Sequence, residues 1–175
     1  EFPDGMPQAV PLLPFLPDVH SFLRQTLHRI KKEEIMITVT NLAIQFGMEV
    51  IGYDPFLSVD AAWSLSRAVH KAESLDSLLA KSDYITIHVP QTNDTKGMIN
   101  ASSIKTMKDG VRIINIARGG LVNNADILAA LESGKVKCLV TDFAAEELLN
   151  KPNVIVMPHL GASTPEAEDN CAIMA

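Results

Sequence analysis

The stretch VRIINIARGG, residues 111–120, carries the pattern that decides the fold. Five of its first seven residues are apolar, and they occupy both alternating faces, which is typical of a strand in a parallel sheet covered by helices on both sides. Arg118 follows directly, and the two glycines after it let the backbone turn tightly. The stretch therefore predicts a buried parallel strand that ends in a polar turn.

Other runs rich in Val and Ile lie on either side of this stretch, at residues 49–53, 84–89, 136–141 and 154–157. Stretches with helical signals separate them: helices are expected to end at Gly47 and Gly134 and to begin at Ser74. A last helix is expected to open at Ser163 or Thr164. Alternating strands and helices are the signature of parallel α/β architecture.

The composition is that of one packed domain. The chain has 175 residues, of which 47% are hydrophobic and 21% are charged, and this balance disfavours disorder, collagen-like repeats and coiled coils. Fifteen Lys and Arg residues against 21 Asp and Glu give a formal charge of −6. Such a charge repels phosphate backbones and anionic lipids, so we expect neither nucleic acid nor a membrane as a partner.

The cysteines and the hydropathy pattern predict a cytoplasmic protein. Cys138 and Cys171 lie in apolar or helical contexts typical of reduced thiols. No run approaches the roughly 18 apolar residues of a membrane span, and the apolar segment 9–16 lacks the basic start of a signal peptide. The histidines show no metal-ligand spacing with the cysteines, so we expect no metal site.

The N-terminal part of the chain differs from the rest. Five of the ten prolines lie before residue 18, and a helix is expected from about residue 18 to residue 34, with Asp18 as its N-cap. The run IMITVT, residues 35–40, is either a strand or the start of the next helix. We therefore divide the chain into an atypical Pro-rich leader plus helix, residues 1–38, and an α/β domain, residues 39–175.

Polar, titratable or turn-forming residues follow the predicted strands. They are Asp54, Val89 with Pro90, Arg118, Asp142 and His159. In open parallel sheets, ligands bind beyond the carboxyl ends of the strands. Because parallel strands share one carboxyl edge, the sequence predicts a binding site there.

From spacing alone, these residues have both a functional and a structural interpretation. Arg118 lies at a helix start, where a cation is unfavourable unless an anion binds; the alternative is a surface arginine in a turn. His159 can transfer a proton, with Glu146 and Glu147 as the nearest carboxylates in sequence, or it is structural. Asp54 can accept hydrogen bonds from a ribose diol, or it is a turn aspartate.

Six strings of residues occur in one order along residues 39–175: FGMEVIGYDP, SDYITIHVPQTNDTKGMIN, MKDGVRIINIARGGLVN, ALESGKV, VTDFAAEELL and PHLGASTPEAEDNCA. Together they resemble the NAD-binding domain of NAD-dependent D-2-hydroxyacid dehydrogenases, and the D-3-phosphoglycerate dehydrogenase branch is the most similar. The resemblance implies an oxidoreductase that transfers a hydride between NAD and a small D-2-hydroxy or 2-keto acid, with 3-phospho-D-glycerate as a candidate, and that forms a homodimer.

The resemblance also implies roles for individual residues. Arg118 would hold the carboxylate of the substrate, His159 would be the acid–base, and Glu147 would pair with His159. Asp54 would bind the adenosine ribose and favour NAD over NADP. The other implied cofactor-binding residues are Val89, Pro90, Ala117, Gly119, Asp142, Gly161 and Ala162, of which Asp142 would meet the nicotinamide amide.

The glycine-rich turn of this family has no match in the chain. An ungapped extension of the resemblance places its three glycine positions on Lys31, Glu33 and Met36, whose side chains would block the approach of the backbone to a pyrophosphate. Residues 1–30 show no counterpart of the first strand, and no segment matches the family's lid domain. The expected fold is therefore α/β, a Rossmann-like doubly wound parallel sheet with its first strand and Gly-rich loop missing or replaced.

These departures leave two other interpretations open. In the first, the chain is a non-catalytic nucleotide-binding or dimerisation module. In the second, it is an inactive fragment. Binding of nucleotide without turnover favours the module, and poor cooperativity on heating favours the fragment.

Overall fold

The structure is a computed structural model, and it describes residues 32–160. Several predictions fall outside these residues: the Pro-rich leader, most of the helix expected to end at residue 34, the last expected helix, Cys171, and the predicted cofactor-binding residues Gly161 and Ala162.

Helices and strands alternate along the described residues. The helices are α1 (Lys32–Gln45), α2 (Val59–Ser64), α3 (Leu75–Lys81), α4 (Ala101–Thr106) and α5 (Asn124–Glu132). The strands are β1 (Val50–Gly52), β2 (Val69–Lys71), β3 (Tyr84–Ile87), β4 (Val111–Asn115), β5 (Val136–Thr141) and β6 (Val154–Val156). Short 3₁₀ turns follow β4 and β5, at Gly119–Leu121 and Glu146–Leu148. The predicted α/β class is confirmed.

All strand pairs are parallel, and the strands form two sheets. β1 pairs with β2 in a two-stranded sheet, and β3, β4, β5 and β6 form a four-stranded sheet in that order. Within residues 32–160, no strand pairs with the outer edge of β1 or of β3. The five predicted strands are present, and β2 is a sixth that the sequence analysis did not predict.

One face of the four-stranded sheet carries the hydrophobic core. Along β4, buried Val111, Ile113 and Asn115 alternate with half-buried Arg112 and Ile114. Helices α3, α4 and α5 contribute buried residues to the same core, among them Leu79, Ile104 and Ile127. Helices were expected on both faces of this sheet. In the described part of the chain, the buried residues of α3, α4 and α5 belong to the core on one face.

Residues 35–40 belong to α1, so the interpretation of this run as a helix start is confirmed and the strand interpretation is wrong. β-Branched residues lower helix propensity only slightly, and the packing of α1 against α2 and β1 outweighs that preference. The domain boundary expected between residues 38 and 39 lies inside this helix.

The helix ends predicted at Gly47 and Gly134 and the cap predicted at Ser74 are confirmed. Gly47 and Gly134 follow α1 and α5 with φ values of 76° and 78°, the left-handed region that glycine enters without strain. Ser74 is the N-cap of α3, where its hydroxyl accepts a hydrogen bond from the Ser77 backbone N–H at 3.1 Å. None of the helices in residues 32–160 is long and apolar enough to cross a membrane.

Candidate active site

The predicted site residues of the four-stranded sheet follow its strands at one edge. Val89 lies two residues after β3, Arg118 three after β4, Asp142 directly after β5 and His159 three after β6. The parallel direction of these strands places all four residues at the carboxyl edge, where ligands bind in sheets of this kind.

His159 and Asp142 form the shortest ion pair of the described residues. His159 Nδ1 lies 2.7 Å from Asp142 Oδ2, within the range of a charge-assisted hydrogen bond. The Asp142 side chain is 10% exposed and the His159 side chain 53%. The largely buried Asp142 carboxylate therefore contacts a His159 imidazole that is about half exposed to solvent.

The second carboxylate oxygen of Asp142 has no partner. Oδ1 is buried and lacks a hydrogen bond in the structure. Burial raises the pKa of Asp142, while His159 and, more weakly, Arg118 oppose that rise. A buried acceptor without a donor is costly, so this oxygen is suited to receive an N–H or O–H group from a ligand.

Phe143 connects the Arg118 turn with His159. The rings of Phe143 and His159 are tilted by 40°, with their centroids 5.1 Å apart. A Cβ atom on Gly119 would come within 3.2 Å of the Phe143 side chain. Glycine at position 119 therefore lets the turn pack closely against the ring that contacts the imidazole.

Arg118 is exposed, and its backbone is held by Asn115. The Asn115 side chain donates to the Arg118 carbonyl oxygen at 2.9 Å and accepts from the Ala117 N–H at 3.3 Å. The Arg118 guanidinium donates to the Ala117 carbonyl at 2.6 Å and forms no salt bridge with any residue between 32 and 160. The guanidinium is thus available to an anion.

The sequence analysis missed Asn115, although it is a polar residue at a buried position of an apolar strand. It is 2% exposed. A buried amide needs hydrogen-bond partners, and the nearest polar groups along the chain are those of the turn that follows. That pattern is the signal by which the residue could have been found.

Glu147 is not the partner of His159 in this structure. It lies in the second 3₁₀ turn, where its Oε1 accepts a hydrogen bond from Asn124 Nδ2 at 3.0 Å. This hydrogen bond lowers the pKa of Glu147. In this structure His159 contacts Asp142, and the pairing of Glu147 with His159 stays a prediction. Asn124 is a second polar residue that was not predicted from the sequence.

A cavity of about 610 Å³ lies beside the Arg118 turn. Its polar and glycine lining includes Lys96, Asn115, Gly119, Asn124, Thr141 and Glu147. Phe143 belongs to its wall and also contacts His159, but His159, Asp142 and Arg118 are not among the residues that line the cavity. Its volume is within the range of small-molecule sites.

The residue predicted to bind the adenosine ribose and two of the other predicted cofactor-binding residues follow β1 and β3. Asp54 follows β1 and is exposed. Its Oδ1 accepts a hydrogen bond from the Phe56 N–H at 2.8 Å, which is the contact expected of a turn aspartate. Val89 and Pro90 follow β3, and the Pro90 carbonyl accepts from the Thr95 hydroxyl at 2.6 Å.

The two ends of a dinucleotide fit these residues unequally. At the nicotinamide end, the unpartnered Asp142 Oδ1 suits an amide donor. At the pyrophosphate end, Glu33 and Met36 lie within α1, where the family has glycines, and so offer no glycine cradle.

Two parallel sheets, with an anion-accessible arginine and a carboxylate-held histidine at a carboxyl edge, define a nucleotide-binding α/β domain of the dehydrogenase type. The sequence profile described as "D-isomer specific 2-hydroxyacid dehydrogenase, NAD binding domain" matches residues 25–161. The chain belongs to this family, whose cofactor is NAD.

Curated relatives and solved structures agree with this membership. The chain is 35% identical over 156 residues to D-3-phosphoglycerate dehydrogenase of Synechocystis and 41% identical over 140 residues to that of Bacillus subtilis. These matches cover 86% and 77% of the chain but only 28% and 26% of the relatives. The chain thus spans little more than a quarter of their length.

Two solved structures share the fold. The apo form of Rhodotorula graminis D-mandelate dehydrogenase has a TM-score of 0.70 at 26% identity, over 79% of this chain and 42% of that one. Aquifex aeolicus D-lactate dehydrogenase, solved with NAD and lactic acid, has a TM-score of 0.64 at 31% identity, over 78% and 48%. Both are D-2-hydroxyacid dehydrogenases, which supports the predicted Rossmann-like architecture.

Proposed function

We propose that this chain is the cofactor-binding part of an oxidoreductase that interconverts a small D-2-hydroxy acid and its 2-keto acid with NAD. The observation that carries the proposal is the convergence of Arg118, Asp142 and His159 at one carboxyl edge. 3-Phospho-D-glycerate is the first substrate to test, because the curated relatives are D-3-phosphoglycerate dehydrogenases.

Arg118 and His159 have complementary tasks in this reaction. Arg118 would bind the carboxylate of the acid, since a guanidinium matches two carboxylate oxygens with two N–H donors. His159 would take the hydroxyl proton during oxidation and return it to the carbonyl oxygen during reduction. NAD, when bound, supplies the hydride chemistry.

The predicted cofactor-binding residues support NAD over its 2′-phosphorylated form. Asp54 would accept hydrogen bonds from the adenosine ribose, and its carboxylate would repel a 2′-phosphate. Val89, Pro90, Ala117 and Gly119 would line the cleft. Asp142 Oδ1 would accept from the carboxamide at the other end of the cofactor.

The test is NADH oxidation by the full chain with a panel of 2-keto acids that includes 3-phosphohydroxypyruvate. We expect His159→Gln to lower the rate by roughly 10²–10⁴-fold, as expected for loss of a general acid. His70→Gln, an exposed histidine on β2, is the matched control and should leave the rate unchanged. No oxidation of NADH by a folded chain with any member of the panel would refute the proposal.

A non-catalytic nucleotide-binding module is the second candidate. It is favoured by the engagement of Glu147 with Asn124, which keeps this carboxylate away from His159. Calorimetric titration with NAD, together with the NADH-oxidation assay, separates the two functions, because the module binds NAD but does not oxidise NADH with a keto acid.

We also propose that the protein is a cytoplasmic homodimer that binds no nucleic acid. Sedimentation equilibrium of the purified chain checks the dimer, and a DNA mobility-shift assay at low salt checks the absence of nucleic-acid binding.

A further inference from the structure

The loop between β3 and α4 is joined to the turn that carries Arg118. The Gly97 N–H donates to the Gly120 carbonyl at 2.8 Å, and the Ile99 N–H donates to the Leu121 carbonyl at 3.0 Å. These backbone hydrogen bonds hold the loop against the turn. Side chains of the loop therefore have a defined place beside the Arg118 turn.

Hydrogen bonds within the loop hold the backbone on both sides of Gln91. The Thr95 hydroxyl donates to the Pro90 carbonyl at 2.6 Å. The Thr92 N–H donates to the Thr95 hydroxyl oxygen at 2.8 Å, and the Thr95 N–H donates to the Thr92 hydroxyl oxygen at 3.3 Å. Because Pro90 and Thr92 are the neighbours of Gln91 in the chain, its side chain starts from a fixed backbone position.

The amide of Gln91 lies directly on Gly120. A Cβ atom on Gly120 would come within 2.7 Å of the side-chain nitrogen of Gln91, which is too short for a real Cβ contact. The backbone of Gly120 is not in the left-handed region, so residues other than glycine could adopt its conformation. Glycine at position 120 is therefore needed for space, and the space is taken by the Gln91 amide.

The Gln91 side chain is exposed and has no hydrogen-bond partner within residues 32–160. A glutamine amide offers one carbonyl acceptor and two N–H donors. A ligand that covers this amide must supply a polar atom, because an unpaired amide removed from water is costly. The amide is thus a free polar group on the turn that follows β4.

The Arg118 guanidinium lies against the same turn. It donates to the Ala117 carbonyl, so it is folded back toward the backbone. Gly120 is two residues further along the chain, and its Cα is therefore at most about 7.6 Å from that of Arg118. A small acid bound by the guanidinium is close enough to reach the Gln91 amide.

We propose that Gln91 is a specificity-determining residue whose amide hydrogen-bonds an oxygen substituent on the third carbon of the bound acid. Arg118 takes the carboxylate, and the second carbon reacts, which leaves the third carbon free to contact the loop. An amide both donates and accepts, so it fits a hydroxyl group or the oxygens of a phosphate ester. This inference rests on the proposed function, since it takes Arg118 as the carboxylate-binding residue.

The kinetic test compares two keto acids that differ at the third carbon, pyruvate with a methyl group and hydroxypyruvate with a hydroxymethyl group. In Gln91→Met, the ratio of kcat/KM for hydroxypyruvate to kcat/KM for pyruvate should fall roughly 3–10-fold, through loss of one neutral hydrogen bond. 3-Phosphohydroxypyruvate shows whether a phosphate ester makes the same contact. Asn93→Met, an exposed amide of the same loop, is the matched control and should leave the ratio unchanged.

Gly120→Ala displaces the Gln91 amide without removing it. The added Cβ occupies the place of the amide, so this variant should lower the same ratio. In a chain that already carries Gln91→Ala, Gly120→Ala should have no further effect on the ratio, because the obstructing side chain is gone.

A binding measurement tests the contact without turnover. The ¹⁵N-labelled full chain is titrated with D-glycerate or D-lactate in the presence of NADH, which cannot take a hydride from a hydroxy acid. The side-chain NH₂ signals of Gln91 are assigned by their loss in Gln91→Met. We expect D-glycerate to shift these signals and D-lactate to shift them much less.

The two measurements separate the inference from the proposed function. A chain in which D-glycerate shifts the Gln91 signals, but which oxidises no NADH with any keto acid, supports the contact and refutes the dehydrogenase. An unchanged ratio in an active Gln91→Met chain would overturn the inference, as would an equal fall of the ratio in Asn93→Met. Gln91 signals that stay in place at millimolar D-glycerate, or move equally with D-lactate, overturn it even in an inactive chain.

Discussion

Asn115 shows how one buried amide can prepare a site. It ends β4, and its side chain satisfies a donor and an acceptor of the Ala117–Arg118 turn. The direction of the exposed guanidinium therefore depends on a residue that is itself buried. At this scale, what matters is whether each buried polar group is paired.

Asn115→Ala should destabilise the fold by about 1–3 kcal/mol, because both turn groups lose their partner and a buried side chain is removed. Urea denaturation measures the loss. Asn115→Asp is the matched variant: it keeps the acceptor for the Ala117 N–H but sets a carboxylate against the Arg118 carbonyl. A change below about 0.3 kcal/mol in both variants would contradict the role given to Asn115.

We expect His88 to make the free energy of unfolding depend on pH. Burial lowers the pKa of His88 from its ordinary value of 6.5, while its Nε2 lies 3.0 Å from the Thr86 hydroxyl oxygen. The unfolded chain therefore binds a proton at this ring more readily than the folded chain does. The stabilisation is present above the unfolded pKa and is lost as the pH falls below it.

His88→Gln should remove this part of the pH dependence. The wild-type free energy of unfolding, relative to the variant, should fall between about pH 7 and about pH 5. Denaturation curves at a series of pH values test this, with His70→Gln as the control. A wild-type-minus-variant difference that is constant with pH, or that grows toward acid, would show that the sign is wrong.

At the scale of elements, most of the helices and strands could be predicted from local pattern. The Val- and Ile-rich runs gave five strands, and the glycines and serines at helix ends gave their bounds. β2 could not be predicted in this way, because three residues, two of them polar, carry almost no periodicity. Residues 35–40 have the composition of a strand, but they lie in α1, which packs against α2 and β1.

The candidate site could be predicted only where local sequence pattern determines it. Local pattern placed Arg118, Asp142 and His159 at strand ends, which the topology then brings to one edge. It could not tell which carboxylate meets the imidazole, because that depends on the register of β5 with β6 and on the Asn124–Glu147 contact. The contribution of Asn115 depended in the same way on its burial.

Asn100 is the N-cap of α4, the helix that precedes β4. Its substitution measures how much one helix cap contributes to the free energy of unfolding. Its side-chain oxygen accepts from the Ser102 and Ser103 N–H groups at 2.9 and 3.2 Å, and its amide donates to the Gly97 carbonyl at 2.8 Å. Asn100→Ala should cost about 1–2 kcal/mol of unfolding free energy. Asn100→Asp retains the capping oxygen and should cost less; an equal or larger loss in Asn100→Asp would argue against the cap.

At the scale of the whole molecule, the described strands divide into two sheets between β2 and β3. β1 and β2 form one sheet, and the chain then passes through α3 to β3 and the four-stranded sheet. Ligands in open parallel sheets bind beyond the carboxyl ends of the strands. Asp54, predicted to bind the adenosine ribose, follows β1, and Val89, predicted to line the cofactor cleft, follows β3, so the two predicted cofactor contacts belong to different sheets.

The most direct test of the account is NAD binding mapped onto the ¹⁵N-labelled full chain by chemical-shift changes. We predict saturable shifts after the strands, at Asp54, Val89, Ala117 to Gly119 and Asp142, with the exposed β2 residue His70 unaffected. Because Asp142 Oδ1 accepts from the nicotinamide end in this account, Asp142→Ala should weaken binding while the Asp54 and Val89 shifts persist. A well-dispersed spectrum that does not change at millimolar NAD, or changes only away from the carboxyl edge, would contradict the dehydrogenase assignment.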